Sequence, residues 1–320
     1  MDDLDHAYPF RCEESTAGYG PVVDRSPGSP AGYPVGSAPD ARLSDLSRTW
    51  QLRLWASRVA AWIQDRGSNS GSMPTTWLSD VQEHRVSMLG EIDQTIADRV
   101  GHLDNQGADL DMPSLMDLLG IHSHEAAVHV GLLLPRAGDP RGLSSSPHLL
   151  EGALDSTVAL RVNSSGDRDD VIMIPQRLHE GLLMWGVGSQ PTTAFGTALP
   201  GDGADPAEAD RVLRRAILES EERLADLGLS GLGQQARDAW DAGTESWREG
   251  WWPRSMDPRR RSLMARGVNL AWMRDIAAMD DAPIVTLSDD RERRAVLDDL
   301  DRWSRRAIEV AVSSPSWHRD

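Results

Sequence analysis

Residues 111–188 constrain the chain most, because the apolar spacing changes there from a helical to a strand-like period. Residues 113–119 read as a helix and Gly120-Ile121-His122-Ser123 as a tight turn. Residues 125–134 read as a second, apolar helix. Two β-like runs follow, 157–162 and 171–174, separated by Asn163-Ser-Ser-Gly166-Asp. Within this hairpin Val158, Leu160, Val162, Val171 and Met173 share one face, with Ile172 and Ile174 opposite. Pro175 is expected to stop the ladder, since it cannot donate to it. Residues 177–185 read as a short helix or a further strand.

Helical spacing extends to both sides of this module. Leu43, Leu46, Trp50, Leu54, Val59, Trp62 and Ile63 predict an amphipathic helix over 41–66, with its tryptophan face in the core. A second helix over about 75–103 would pair antiparallel with it, giving a helical hairpin over 41–107. Residues 1–40 are rich in Pro, Gly, Ser and Asp and are expected to be a disordered tail. After a Gly/Pro/Thr loop at 189–204, Asp205, Pro206 and Glu208 supply the start signals of a helix running to about Leu227. Further helices are expected over 232–247, from Asp257 to about Met279, and up to Val312, the last with Asp289 and Glu292 as its capping pair. Residues 284–287 read as a short strand. The expected fold class is mainly α. Its parts are the helical hairpin, an α+β module with a small β-hairpin over 108–190, and a helical bundle over 205–312.

Composition excludes several chemistries. All 33 basic residues are Arg and none is Lys, against 50 Asp and Glu, for a net charge of −17. A P-loop and a protein kinase each need a Lys for nucleotide phosphates. Schiff-base catalysis needs a Lys amine. The single cysteine, Cys12, can form neither an internal disulfide nor a cysteine-based metal centre. No apolar run reaches the roughly 20 residues of a membrane span, and the acidic start Met1-Asp-Asp-Leu-Asp does not read as a secretory signal. A cytoplasmic protein without membrane or cofactor is expected. The negative charge also opposes nucleic-acid binding at long range.

Three constellations remain. His122, His124, Glu125 and His129 are metal-ligand types gathered on one turn and the start of a helix, and would serve a metal-dependent hydrolase. The zinc-protease motif needs two His four residues apart. In His124-Glu-Ala-Ala-Val-His129 they are five apart, so on a helix they diverge by about 140°. Asp298-Asp299-x-Asp301 reads as a solvated helix face, and Arg291, Arg293, Arg294, Arg302, Arg305 and Arg306 as an exposed, salt-bridged one. Trp247, Trp251 and Trp252 with Arg254, Arg259, Arg260 and Arg261 have the composition of a binding hot spot. Cations at a helix start oppose its dipole, so an acidic group, from a partner or from this chain, would compensate.

Helix, turn, helix and hairpin in that order is the order of a winged helix. As a DNA reader the second helix is poor, because Ala126, Ala127, Val128, Val130, Gly131 and Leu132 cannot address base edges. Leu118-Leu-Gly-Ile-His-Ser-His-Glu125, the apolar residues 128–134, Asp139-Pro140-Arg141 and Arg177-Leu-x-x-Gly181-Leu-Leu183 resemble the winged-helix domain that precedes the ATPase module in some bacterial AAA proteins. The resemblance covers about a quarter of the chain and implies a winged-helix fold there. The ATPase module itself is missing. The expected function is a non-enzymatic, cytoplasmic interaction or regulatory protein whose partner is another protein. A metal-dependent hydrolase and a DNA-binding transcriptional regulator are the alternatives.

Overall fold

Strands whose residues are apolar on both sides need a layer of structure on each face. The computed structural model describes residues 39–66, 83–89, 128–143, 146–164, 169–179, 182–191, 204–227, 252, 256–279 and 286–313. In chain order these form α1 (Pro39–Arg66), β1 (Glu83–Met88), β2 (Val128–Leu133), α2 (Pro147–Ser156), β3 (Ala159–Ser164), β4 (Asp169–His179), β5 (Leu182–Pro191), α3 (Pro206–Asp226), α4 (Pro258–Met279) and α5 (Leu287–Ser313). Residues 40–320 make up one compact unit.

The five strands form one mixed sheet in the order β1-β5-β4-β3-β2. Strands β2 to β5 are an antiparallel meander, and β1 joins it parallel to β5. One face carries Val130, Leu132, Leu160, Val162, Val171, Met173, Trp185 and Val187 against a helical layer of α1, α3, α4 and α5. The other face carries Leu133, Ala159, Ile172 and Ile174 against Leu149 and Ala153 of α2. Alternation along β4 therefore feeds two cores, Val171 and Met173 into one and Ile172 and Ile174 into the other. In the helical layer Trp50 of α1 meets Trp272 of α4 edge-to-face, with ring centroids 5.9 Å apart.

The fold class is α+β, not mainly α. An apolar run buried on both sides has no strand-like alternation in sequence and cannot be told from a buried helix. Val128-His-Val-Gly-Leu-Leu133, expected to be the second helix of a winged helix, is instead β2, paired along its length with β3. The helix expected over 75–103 holds β1 within it, so residues 41–107 are not a helical hairpin. Residues 177–179 and 182–185 take the strand alternative, in β4 and β5. The sequence left α2 unassigned. The tail expected over 1–40 lies outside the described residues up to 38, as do the helices expected over 113–119 and 232–247.

Pro175 does not end β4, which continues to His179. Its carbonyl accepts from Ser156 Oγ at 2.7 Å, so its nitrogen side faces past the start of β3 rather than toward β5. No ladder bond is lost there. The helix starts are explicit. Asp205 Oδ1 accepts from Ala207 N at the start of α3, and Asp257 Oδ1 accepts from Arg259 N at the start of α4. At α5 the capping residue is Thr286, whose Oγ1 accepts from Asp289 N at 3.1 Å. Asp289 and Asp290 lie in the first turn, where they favour the dipole. The capping pair expected of Asp289 and Glu292 is thus shifted, and Leu287 belongs to α5 rather than to a strand.

Gly188 of β5 faces α2. A methyl group at this position would collide with the Leu149 side chain and lie 3.0 Å from the Leu89 carbonyl oxygen. The backbone contact cannot be relieved by a rotamer change. Gly188→Ala should lower unfolding stability by about 1–3 kcal/mol, as overpacking does. Urea denaturation measures it, and an unchanged midpoint would show that the α2 layer yields freely.

Candidate functional site

Just beyond β2 the chain makes two tight turns in succession. In the first, Arg136 and Asp139 exchange backbone hydrogen bonds of 3.0 and 2.9 Å across Ala137-Gly138. In the second, Leu143 N donates to Pro140 O, and both central residues, Arg141 and Gly142, have positive φ (55° and 78°). Glycine takes that conformation freely, whereas a non-glycine residue is strained there. Together the turns present Arg136, Asp139 and Arg141 to α5.

These residues belong to an unbroken chain of alternating charges. From α1 it begins with Arg53, 3.3 Å from Asp275, which pairs with its neighbour Arg274 in α4. Arg274 reaches Asp298 of α5 at 3.6 Å, and Asp298 is 3.5 Å from Arg136. Arg136 donates to Asp301, Asp301 accepts from Arg305, and Arg305 donates to Asp139. Asp139 is 3.4 Å from Arg141, which ends the chain 3.3 Å from Glu309. Asp275, Asp301, Arg305 and Glu309 are all buried, while Asp298, Arg136 and Asp139 reach solvent, so the chain runs between the interior and the surface.

Neutral groups complete it. Trp50 Nε1 donates to Asp275 Oδ2 at 2.9 Å, and the Arg53 guanidinium lies 5.0 Å from the Trp50 ring centroid. Arg53 Nε donates to Thr157 Oγ1 at 2.9 Å. Thr157 caps α2 in a left-handed conformation (φ 57°), costly for a β-branched residue, and the Arg53 bond helps to hold it. Arg305 Nη1 donates to Leu134 O at 2.8 Å, and Glu309 Oε1 accepts from Leu134 N at 3.2 Å. A cavity of about 10 Å³, roughly one water in size, lies beside Trp50, Arg53, Leu134 and Arg305.

Protonation follows from burial against pairing. Burial drives the Glu309 carboxyl up to about 7, against Arg141, the Leu134 N–H, Arg305 and Arg306, which pull it down. Burial also pushes Asp139 up, but Arg141 and Arg305 outweigh it and leave that carboxyl below its usual range. Burial lowers Arg53, with Asp275 and Asp301 opposing. At Arg274 the hydrogen bond and charge of Asp275 prevail over burial and raise the guanidinium above its usual value.

The sequence-predicted residues fare differently. His122, His124 and Glu125 lie outside the described residues, and His129 sits in β2 opposite Asn163 rather than on a helix. Among the described residues no group of three His, Cys, Asp or Glu could hold a metal ion. Trp247, Trp251 and Arg254 lie outside the described residues. Trp252 is buried. Arg260 donates to the carbonyls of Ala311 and Val312 at the end of α5, and Arg261 to Met256 O, while Arg259 is exposed. Asp301 and Arg305, expected on solvated faces, are both buried and central to the network. Their i,i+4 spacing is legible in sequence, but spacing alone does not say which face of α5 turns inward. Arg141 and Glu309 carried no sequence signal as a pair.

The molecule is thus an α+β protein whose meander sheet and helical layer are joined by a partly buried ionic chain. Residues 53–195 match the model of the Rv1486c-like protein, N-terminal domain, and residues 207–309 that of the Rv1486c-like protein, C-terminal domain. The two matches occur in that order and together span roughly three-quarters of the chain. No curated protein and no solved structure matches it. The ionic chain crosses between the two matched regions, with Arg53, Arg136, Asp139 and Arg141 in the first and the other members in the second. Among the described residues no helix is long and apolar enough to cross a membrane.

Two outcomes follow from these energetics. Asp301→Ala removes the buried carboxylate shared by Arg136 and Arg305, leaving them Asp298, Asp139 and Leu134 O, and should cost about 3 kcal/mol, the low end for breaking a buried pair; exposed Arg211→Ala should cost less than about 1 kcal/mol. Equal losses in denaturant titrations would contradict the buried network. Glu309 gives the second. Its pKa rises on folding from 4.5 to about 7, so the folded state holds the extra proton. The stabilisation is complete below 4.5 and lost as pH rises to about 7. Relative to Glu309→Gln, wild type should lose on the order of 3 kcal/mol across that window. Parallel stability–pH curves would refute the assignment.

Proposed function

We propose that this is a non-enzymatic interaction or regulatory protein, acting on another protein through the exposed start of α4. One observation carries the reading: Arg259 is exposed in the first turn of α4. A cation there opposes the helix dipole; the Asp257 cap offsets this in part, and an acidic partner group would pair with the Arg259 guanidinium itself. Neighbouring Arg260 and Arg261 are held by this chain's own carbonyls, at α5 and at Met256. They brace the helix start and leave Arg259 as the group directed outward. Buried Trp252 and Met256 belong to the main core and give that corner a rigid base.

The interior supports the same reading. The arginines and acids that a catalytic site would draw on are here committed to one another across α1, α4, α5 and the 136–143 turns. Such a network fixes the geometry of a scaffold whose function lies at its surface.

Arg259→Glu tests this without touching the core. Quantitative co-purification from native cells should show a partner retained by wild type and depleted at least about tenfold by the variant, the signature of a charged hot-spot residue. Matching melting curves would establish that the variant is folded. An identical partner set for both proteins would eliminate this surface.

A further inference from the structure

Glu309 differs from the other buried acids of the network. Asp275 and Asp301 each accept two or more side-chain hydrogen bonds. Glu309 is fully buried, yet its Oε2 accepts none, and Nη2 of the facing Arg141 is likewise buried without a hydrogen-bond partner. Arg141 Nε stands between two carboxylates, 3.3 Å from Glu309 Oε1 and 3.4 Å from Asp139 Oδ2. Those carboxylates differ sharply in setting, since the Asp139 side chain is 39 % exposed and that of Glu309 is 0 %. One guanidinium, on a residue with strained backbone, is therefore shared between a wet acid and a dry one.

Among the described residues the surrounding charges are few. The turns contribute Arg141 and Asp139. On α5 itself Arg305 and Arg306 act on Glu309. From α1, Arg53 lines the neighbouring cavity with Arg305 and Leu134. From α4, Arg260 binds the carbonyls of Ala311 and Val312, two and three residues further along α5. Apart from Asp139, which belongs to Arg141 and Arg305, these groups are cations.

We propose that Glu309 and Arg141 form a proton-operated latch between the 140–143 turn and α5. With Glu309 ionised, Arg141 is held by both carboxylates and pins the turn to the helix. With Glu309 protonated, Arg141 keeps only Asp139 and shifts toward solvent, and the turn loosens. The Asp301, Arg136 and Arg305 contacts persist in both states, so the two halves stay joined. Acidification therefore does not unfold the protein. It removes the cost of a bare carboxylate in the core while releasing one local contact. The latch stands independently of the partner surface at Arg259.

Amide NMR of the full chain across neutral pH tests it. In wild type the Leu134, Arg141 and Gly142 amides should shift together in one step with a midpoint of about 7. In Glu309→Gln they should stay at their acid-limit positions, and hydrogen exchange at 140–143 should be faster than in wild type at alkaline pH. Arg141→Gln should move the Leu134 midpoint upward, because burial is then less opposed. Wild-type amides that do not titrate, a Gln variant that titrates like wild type, or an Arg141→Gln midpoint that stays put would each overturn the latch. Should Glu309→Gln fail to fold, the wild-type titration and the Arg141→Gln midpoint still decide.

Discussion

Just beyond β2, the outermost described strand on its side of the sheet, the backbone of Leu134 is bonded by side chains of α5. Glu309 accepts its N–H and Arg305 donates to its carbonyl. Buried backbone groups without a partner are costly. At Leu134 both groups are matched by side chains from the helical layer. The same Arg305 reaches Asp301 and Asp139, so this contact and the ionic chain share one residue. The same ionic chain ties the turns to α5 and, through Arg274 and Asp298, α5 to α4, alongside the apolar core these helices share.

This joint is polar where a purely apolar contact would also have buried area. Buried ion pairs contribute little net stability over well-packed apolar residues, because desolvation offsets much of the Coulomb attraction. What they add is geometry, since each carboxylate must find its donor or remain buried and charged. The two regions matched by the N-terminal and C-terminal domain models are therefore fixed in one relative register at their contact. The strain at Arg141 and at Thr157 lies where that register is enforced, one on the turn that faces α5 and one held by Arg53. An interaction protein with such a joint would present its surfaces as a rigid set, apart from the turn governed by Glu309.

Parts of this were legible in the residues alone. Asp205, Pro206 and Glu208 mark the start of α3, and the structure supplies the hydrogen bond they imply. The alternation of Val171, Ile172, Met173 and Ile174 assigns each side chain to a face, and each face has a core. The same alternation failed for Val128-His-Val-Gly-Leu-Leu133. There Gly131 and apolar residues on both sides erase the period, and apolar content was taken for a helix. That one misreading turned the outermost described strand into the second helix of a winged helix and hid the sheet. The network was missed for a related reason. Asp301 and Arg305 look like any i,i+4 surface pair until the turn after β2 is brought against them.

Taken by itself, the sequence determined the local terms: where α1, α3 and α4 run, how the β3–β4 hairpin alternates, and that no lysine chemistry is available. These depend on spacing, capping and residue type within a few positions of one another. Tertiary structure decided which apolar runs became strands, because strand pairing links residues as far apart as Glu83 and Leu182. It also decided which charges are buried. Arg53 meets Asp275, and Arg141 meets Glu309, across separations that no local pattern records. Burial then set the protonation of Glu309, since the same carboxyl in water would be an ordinary acid.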